Sequence, residues 1–428
     1  MLDLRGKSVA LIGYGTANKA LGRYLTKMGI DFVVRCPEKC DLPNGQRAVF
    51  GQGYLDVCED VIFRSPGVHP RLIGRRAYTE VGYGLELCRG FKIGISGSDG
   101  KTTTATLVYR MLLAGGKSAF LGGNIGYPIV ELGAKLASGD FLVTELSSFQ
   151  LMDLTPRLDI GAVTNVSQNH LNWHGGMDEY ISAKENLVKN ARTAVLNYDD
   201  EVVRGFEKSC QGDKVIYFSL KNLDLLVGTK HSYVYVADGQ VCYDGERLFP
   251  VGDVCLRGQF NLQNILCAVG CTYGLVGKEA CHGVAREFCG ARGRQEVVCQ
   301  KNGVTYVCSA IDTTPTRTKN TLSAFPPSRV VAILGGYDKN LDYECLKDAT
   351  RDLKAVVLCG ENREKIRGAL SCPTYDALTL GEAVTLGAKL ATAGDFVILT
   401  PASASFDMFK NYREKEECFV AAVSSLWK

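Results

Sequence analysis

The chain has 428 residues, of which 46% are hydrophobic and 22% charged, a globular composition that argues against extensive disorder and suggests two or three domains. A formal net charge of +3 is too small for the concentrated basic footprint of a protein whose main partner is nucleic acid. No apolar run reaches the roughly 18 residues that span a bilayer, and the N-terminus lacks a cleavable signal pattern. A cytoplasmic protein without nucleic-acid or membrane partners is therefore expected.

Cysteine is abundant, with 17 copies, but no CxxC pair occurs and the spacings resemble neither a zinc site nor a small disulfide scaffold. Cys267 and Cys271 lie one helical turn apart and are interpreted as buried free thiols. Cysteine usage thus predicts a reducing compartment.

An α/β pattern restarts three times along the chain, which predicts parallel sheets covered by helices. The predicted strands are 9–12, 32–34, 61–63, 92–95, 141–144, 160–165, 194–197, 215–218, 330–334, 355–358 and 396–399. Helices are predicted up to residue 25 and over 101–113, 260–276, 278–288 and 406–428. Asp-Gly and Asn-Gly turns predict antiparallel hairpins within 232–251 and between 296–299 and 304–307.

The strongest local signal is a glycine-rich turn between a predicted strand and a predicted helix. It covers residues 94–103 and reads Gly-Ile-Ser-Gly-Ser-Asp-Gly-Lys-Thr-Thr. Backbone N–H groups of such a turn approach phosphate oxygens closely, and the following helix N-terminus adds partial positive charge. Lys101 can reach the β- and γ-phosphates of a nucleotide, while Thr102 and Thr103 offer hydroxyls to Mg²⁺. A structural turn that binds nothing is the less favoured alternative, because Lys-Thr-Thr begins a helix directly after an apolar strand.

A second, weaker glycine turn follows the first predicted strand and contains Gly13, Gly15 and Asn18. It lacks the third glycine of the dinucleotide fingerprint, and Arg35 stands where an acidic residue would bind a ribose. NAD binding is therefore disfavoured. Two interpretations stay open, namely a helix N-terminus that holds another phosphate and a purely structural turn.

Two further segments place polar side chains after predicted strands. Glu145 ends a strand, where a carboxylate can serve as a metal ligand beside a nucleotide, although a solvated loop acid is the alternative. His170 and His174 lie four residues apart without an evident third zinc ligand. The simpler interpretation gives one histidine a metal or phosphate contact and the other a structural role.

Together these segments resemble the Mur ligase family of peptidoglycan synthesis over essentially the whole chain. The matching motifs are 94–103, 122–126, 145–150, the His170 segment with Lys184, 196–200, Asn261-x-x-Asn264, 315–318, 334–339 and 399–411. The last two motifs are typical of the family members that add glutamate.

The resemblance implies an α/β fold of three domains. A Rossmann-like UDP-substrate-binding domain would cover 1–90, a central P-loop ATPase-type domain 91–292, and a Rossmann-like amino-acid-binding domain 293–428. The implied activity is ATP-dependent ligation, in which the carboxylate of UDP-N-acetylmuramoyl-L-alanine is activated as an acyl phosphate and joined to D-glutamate with Mg²⁺ as cofactor. A monomer is expected.

The resemblance also implies roles for individual residues. The catalytic residues would be Lys101, Glu145, His170 and Lys184, and the metal ligands Thr102, Glu145, His170 and Lys184, with a carbamate on Lys184. ATP would contact Gly97, Ser98, Asp99, Gly100, Lys101, Thr102, Thr103, Asn261, Asn264 and Arg294. The UDP substrate would contact Gly15, Thr16, Asn18, Asn124, Ser147 and Gln150, and D-glutamate would contact Thr313 or Thr314, Lys339, Ser405 and Tyr412.

The chain departs from the family on the base and ribose side of the nucleotide. Phe260 and Gly293 each replace a histidine of a family motif, and Ser309 follows Cys308 where the family has an aspartate, for which Asp312 is a candidate substitute. Two alternatives follow from these departures and from the existence of family members that add other amino acids. One is a non-catalytic nucleotide-binding protein, and the other is a related ligase that adds a different amino acid.

Overall fold

The computed structural model describes residues 2–290 and 293–427, apart from the side chain of Asn172. The predicted domain limits at residues 1, 292 and 428 therefore lie outside the described residues. The chain forms two compact units, of which the first comprises Met1–Asp253 and Gln263–Ala285 and the second Val254–Leu262 and Arg286–Lys428. Among the described residues, no helix is long and apolar enough to cross a membrane.

The first unit begins with a four-stranded parallel sheet in the order β3-β2-β1-β4, which is a Rossmann-like arrangement. Its central strand consists of four buried apolar residues, as expected for a parallel strand covered on both faces. The elements are β1 Val9–Ile12, α1 Thr16–Lys27, β2 Phe32–Cys36, β3 Ala48–Phe50, β4 Val61–Arg64 and α2 Glu80–Leu87.

The first unit continues with a nine-stranded sheet in the order β13-β12-β11-β10-β9-β8-β5-β7-β6, parallel except for the antiparallel strands at the β13 end. Its strands are β5 Phe91–Ser96, β6 Ala119–Gly123, β7 Phe141–Glu145, β8 Leu158–Val163, β9 Ala191–Asn197, β10 Lys214–Ser219, β11 Ser232–Ala237, β12 Gln240–Tyr243 and β13 Glu246–Pro250. Its helices are α3 Lys101–Ala114, α4 Ile129–Gly133, α5 Ser148–Leu151, α6 Leu171–His174, α7 Met177–Lys189 and α8 Glu201–Gly205.

A long helix, α9 Gln259–Glu287, divides its residues between the two units. Gly277, with φ of 78°, interrupts the helical backbone at the point that separates the two helices predicted over 260–276 and 278–288. The predicted break is confirmed.

The second unit contains a six-stranded sheet in the order β14-β15-β19-β16-β17-β18, parallel except for the β14-β15 hairpin. Its strands are β14 Glu296–Lys301, β15 Val304–Cys308, β16 Val330–Leu334, β17 Ala355–Leu358, β18 Thr374–Asp376 and β19 Phe396–Leu399. Its helices are α10 Pro315–Leu322, α11 Leu346–Thr350, α12 Arg363–Arg367, α13 Leu380–Leu390 and α14 Tyr412–Ser425. The three sheets confirm the predicted α/β class.

Two sequence-based expectations are corrected. The last helix begins at Tyr412 instead of near residue 406, because the Asn411 side chain accepts hydrogen bonds from the N–H groups of Arg413 and Glu414 and caps the helix there. The reducing setting expected from cysteine usage does not agree with a disulfide that joins Cys255 to Cys289, 34 residues apart, and the sequence carried no local signal for this pairing. Cys267 and Cys271 are buried and free, as predicted.

Candidate active site

The glycine-rich loop leaves the carboxyl end of β5 and enters α3 directly. Gly97 has φ of 145°, and a Cβ there would lie 1.9 Å from the Thr164 hydroxyl oxygen. Gly100 has φ of 81°, and a Cβ there would lie 2.1 Å from Oδ1 of Asn264. Glycine is therefore required at both positions by backbone conformation and by space. The loop brings its backbone to the N-terminus of the 14-residue helix α3, which favours anion binding.

The residues that follow β8 hold this loop in place. The Asp99 N–H donates to Oδ1 of Asn165 at 2.9 Å, and the Thr164 hydroxyl donates to the Asp99 carbonyl oxygen at 2.6 Å. The Ser98 hydroxyl oxygen accepts from the Ser167 N–H at 2.9 Å. Thr164 and Asn165 were not predicted to support the loop, although their position directly after a parallel strand could have revealed them.

The ammonium group of Lys101 lies over the loop itself. Its Nζ atom donates to the carbonyl oxygens of Gly97 and Ser98 at 2.8 and 2.9 Å. A cation, a helix N-terminus and the backbone of the glycine-rich loop thus converge on one small region.

Glu145 lies at the end of β7, next to β5 in the sheet, and is 1% exposed. One carboxylate oxygen accepts from the Thr102 hydroxyl at 2.7 Å, and the other accepts from the Asn124 side-chain amide at 2.7 Å. The Asn124 backbone N–H also donates to the Glu145 carbonyl oxygen at 2.9 Å. Three residues predicted from separate motifs therefore meet, and the hydroxyl and carboxylate oxygens are the hard ligands that Mg²⁺ prefers.

Lys184 reaches the same loop from the middle of α7. It is 1% exposed, and its Nζ atom donates to the Gly97 carbonyl oxygen at 2.7 Å and lies 4.5 Å from the centre of the Tyr180 ring. Burial, together with the nearby charge of Lys101, lowers the pKa of Lys184 well below its ordinary value. The environment therefore favours the neutral, nucleophilic amine.

The two histidines occupy different surroundings. His170 has a left-handed backbone with φ of 55°, and its ring centre lies 5.0 Å from that of Phe149. His174 is fully buried, its Nε2 lies 2.9 Å from the Ser148 hydroxyl, and burial lowers its pKa to about 4. His174 therefore has the structural character that was expected of one member of the pair.

No metal cluster made of protein groups alone is present in the described part of the chain. Three or more His, Cys, Asp or Glu side chains do not come together there in a way that could hold a metal ion. A divalent ion bound at Thr102 and Glu145 would take further oxygens from water and phosphate, which is how Mg²⁺ is usually bound beside nucleotides.

Five of the residues predicted for the UDP substrate lie at the starts of two helices, α1 and α5. Gly15 and Thr16 are exposed at the N-terminus of α1, whereas Asn18 is fully buried and its amide donates to the Gly13 carbonyl oxygen at 2.7 Å. The buried Asn18 side chain therefore stabilises the backbone of the turn that precedes α1. Ser147 and Gln150 form a reciprocal capping box at the start of α5.

In the second unit, the loops that carry Lys339 and Ser405 lie side by side. The Tyr337 N–H donates to the Ala404 carbonyl oxygen at 3.0 Å. Lys339 is exposed and its pKa is lowered by desolvation and by Arg317, whereas the hydroxyl of Ser405 is buried and has no hydrogen-bond partner among the described residues. A buried hydroxyl without a partner is unusual, and it is available to a ligand.

The other predicted contacts of the second unit lie on separate elements. Thr314 precedes α10, and Tyr412 is the half-buried first residue of α14. Asn261 is buried, with its side-chain amide donating to the Arg257 carbonyl oxygen at 2.8 Å, and Arg294 is half-buried. Asn264 belongs to the first unit, where its Oδ1 accepts from the Thr104 hydroxyl at 3.3 Å.

The fold and the loop define an α/β protein in which a strand, a glycine-rich turn and a helix form a phosphate-binding site. Two family models match the chain, the Mur ligase middle domain over residues 95–272 and the Mur ligase glutamate ligase domain over 293–403. With relatives at 34 to 35% identity over 99% of its length, the chain belongs to the Mur ligase family.

Two such relatives are the UDP-N-acetylmuramoylalanine–D-glutamate ligases of Acetivibrio thermocellus and Clostridium perfringens. The first is 35% identical with 97% of its length covered, and the second 34% identical with 98% covered. Among solved structures, the MurF ligase of Thermotoga maritima in complex with ADP has a TM-score of 0.62 at 17% identity, with 98% of this chain and 94% of that chain covered. At 17% identity, the similarity to the MurF structure shows a shared fold only.

Proposed function

We propose that this chain is an ATP-dependent ligase that adds D-glutamate to UDP-N-acetylmuramoyl-L-alanine in cytoplasmic peptidoglycan precursor synthesis. The observation that carries the proposal is the convergence of Lys101 and Lys184 on the Gly97 carbonyl oxygen, at 2.8 and 2.7 Å, in the loop that leads to the Thr102–Glu145 pair. The names of the relatives that match the whole chain support the choice of substrates.

The reaction has two steps. An oxygen of the substrate carboxylate attacks the γ-phosphorus of ATP, the bond from phosphorus to the bridging oxygen breaks, and ADP leaves. The amine nitrogen of D-glutamate then attacks the acyl carbon and loses a proton, and inorganic phosphate leaves with the electron pair of the broken C–O bond. Cationic groups are needed because a carboxylate and a triphosphate repel each other.

The first unit supplies the phosphate side of the site. Lys101 and the backbone N–H groups of the loop bind the β- and γ-phosphates, and Thr102 with Glu145 hold Mg²⁺, which when bound neutralises developing phosphate charge. The remaining proposed ATP contacts are Gly97, Ser98, Asp99, Gly100, Thr103, Asn261, Asn264 and Arg294.

Lys184 carries a carbamate in this proposal. In carbamate formation the neutral amine nitrogen attacks the carbon of carbon dioxide, one C=O bond opens to a carboxylate oxygen, and the nitrogen releases a proton to solvent. Burial and the charge of Lys101 lower the pKa of Lys184 well below its ordinary value, which favours the neutral amine. The carbamate converts the buried amine into an anionic oxygen ligand, which together with His170 would hold a second Mg²⁺.

The acceptor substrate and the amino acid are recognised by separate groups. We assign the UDP substrate to Gly15, Thr16, Asn18, Asn124, Ser147 and Gln150, and D-glutamate to Thr313 or Thr314, Lys339, Ser405 and Tyr412. The partnerless buried hydroxyl of Ser405 supports a contact with a substrate carboxylate. We retain the domain limits 1–90, 91–292 and 293–428 and a monomeric state as part of the proposal.

The proposal is tested by phosphate release with UDP-N-acetylmuramoyl-L-alanine, ATP, Mg²⁺ and a panel of amino acids. Release is expected only when D-glutamate is present, and equal turnover with L-lysine or diaminopimelate would favour a related ligase. Lys101→Ala should abolish release, while Lys135→Ala, an exposed lysine of the same unit, should not. Nucleotide binding without any phosphate release would instead indicate a non-catalytic protein.

A further inference from the structure

Asn362 joins three loops that leave the same edge of the second unit's sheet. It is the residue before α12, in the loop that follows β17, and it is 4% exposed. Its Nδ2 donates to the hydroxyl oxygens of Tyr343 and Ser403, both at 2.7 Å, and its Oδ1 accepts from the Gly336 N–H at 3.0 Å. Because β19, β16 and β17 are neighbouring parallel strands, the loops after their carboxyl ends meet around this side chain.

The orientation of the Asn362 amide follows from a backbone group. The Gly336 N–H can only donate, so the oxygen end of the amide faces Gly336, and the NH₂ end has one proton for each of the two hydroxyl oxygens. The Asn362 N–H also donates to the Gly336 carbonyl oxygen at 3.1 Å. Both polar backbone groups of Gly336 are therefore bound to one residue, and a buried polar network satisfied in this way is rigid.

The loop after β16 and the loop after β19 approach each other closely beside Asn362. A Cβ at Gly336 would lie 2.2 Å from the Ala404 carbonyl oxygen. The same oxygen accepts from the Tyr337 N–H at 3.0 Å, and Tyr337 and Ala404 form an antiparallel bridge. Asn362 binds Gly336 and Ser403, the residues that directly precede this bridged pair. It therefore fixes how the two loops lie against each other.

Two residues that we assign to D-glutamate lie just beyond the bridge. Lys339 is two residues after Tyr337, and Ser405 directly follows Ala404. A dicarboxylate carries two anionic ends, and the groups that bind them have to be held within about 0.5 Å of the productive geometry. The spacing of the two loops is therefore a property on which recognition of such a substrate depends.

We infer that Asn362 is a positioning residue for the amino-acid substrate. It holds the loops of Lys339 and Ser405 at the separation that suits an amino acid with two carboxylates, and it acts through these loops without touching the substrate. The inference rests on the proposed function, which assigns Lys339 and Ser405 to D-glutamate. The phosphate-binding loop belongs to the first unit, so its affinity for ATP should not depend on Asn362.

The test measures phosphate release by the full-length chain at varied D-glutamate. Ser403→Ala removes the hydroxyl through which Asn362 holds the loop after β19, and it should raise KM for D-glutamate about tenfold with little change in kcat or in KM for ATP. Asn362→Leu keeps the approximate shape, breaks both loop contacts and should raise KM at least as much. Tyr343→Phe is the matched control with the parent's KM, because it removes the other hydroxyl bound by the same amide and leaves the Gly336 and Ser403 bonds in place.

The parent's KM in a folded Ser403→Ala protein overturns the inference, and so does an equal increase in Tyr343→Phe or a loss of kcat alone. If Asn362→Leu does not fold, Ser403→Ala and Tyr343→Phe decide, since each deletes a single hydroxyl. Faster turnover with another amino acid would reject the D-glutamate specificity of the proposed function, and the same KM comparison with that amino acid then decides the inference. A chain that releases no phosphate with any amino acid overturns both.

Discussion

Nζ of Lys184 donates a 2.7 Å hydrogen bond to the carbonyl oxygen of Gly97, 87 residues earlier in the chain. A helix thereby touches the backbone of the phosphate-binding loop with a buried amine. The pKa of this amine is lowered well below its ordinary value, first by burial and then by the charge of Lys101. The hydrogen bond to Gly97 therefore places any modification of the Lys184 amine next to the phosphate-binding loop.

Replacing Lys184 by alanine should lower kcat by about 10²–10³-fold, because one positioned electrostatic group is removed from the site. Added short-chain carboxylic acids should restore part of the activity by occupying the place of the carbamate. Lys189→Ala, on the same helix with its ammonium paired to Glu185, is the control and should stay active. Full activity of Lys184→Ala, with no carbamate signal in NMR spectra under labelled bicarbonate, would reject the role.

Gly97→Ala should destabilise the protein and weaken ATP binding, because the new Cβ would lie 1.9 Å from the Thr164 hydroxyl oxygen. We expect a loss of about 1–3 kcal/mol in the free energy of unfolding from overpacking, measured by urea denaturation. Gly139→Ala is the matched control and should lose little stability, since a Cβ at Gly139 meets nothing within 4 Å. Equal denaturation midpoints in the two variants would contradict the steric argument.

His174 should make stability depend on pH on the acid side. Burial lowers its folded-state pKa from 6.5 to about 4, so between these values the unfolded chain binds more protons. The contribution is complete above pH 6.5 and is lost as pH falls towards 4. His174→Gln should therefore flatten the pH dependence of the denaturation midpoint, measured by urea denaturation, in this window. An unchanged slope in a folded His174→Gln protein would contradict the assignment.

The Cys255–Cys289 disulfide should raise stability, because it closes a long loop in the unfolded chain. The double variant Cys255→Ser/Cys289→Ser should lose about 3–4 kcal/mol of unfolding free energy, and Cys58→Ser, which removes an exposed free thiol, should lose little. Protein unfolded without reductant should show two fewer reactive thiols than its 17 cysteines. Reaction of all 17 would show that the two thiols remain unpaired.

The sequence predicted most strands but missed β3, β6 and β18. Each of these three strands lies at the edge of its sheet and mixes buried with half-buried or exposed residues, or has no buried residue at all. An edge strand pairs on one side only, so it needs no continuous apolar run. The hairpin strands were found because Asp-Gly and Asn-Gly turns mark them independently of burial.

The site was predictable where a motif places a side chain directly after a strand. Glu145 is the last residue of β7, and Lys101 and Thr102 begin α3 after the short loop that follows β5. The importance of Lys184, by contrast, came only from the family resemblance, since a lysine within a helix is usually solvated. The hydrogen bonds that join Gln295, Thr321 and Asp312 inside the second unit could not be foreseen, because these residues meet only through tertiary packing.

The second unit is assembled from two separate stretches of the chain, and this affects how it can be synthesised and truncated. The guanidinium carbon of Arg257, from the earlier stretch, lies 5.9 and 5.3 Å from the ring centres of Phe325 and Phe396. During translation the earlier stretch leaves the ribosome before either ring has been made, so this unit completes its core last. A fragment that begins at residue 293 would lack Arg257, Asn261 and both cysteines of the disulfide. An autonomous version of the unit therefore has to begin at Arg286, which retains Cys289, and carry a grafted copy of Val254–Leu262.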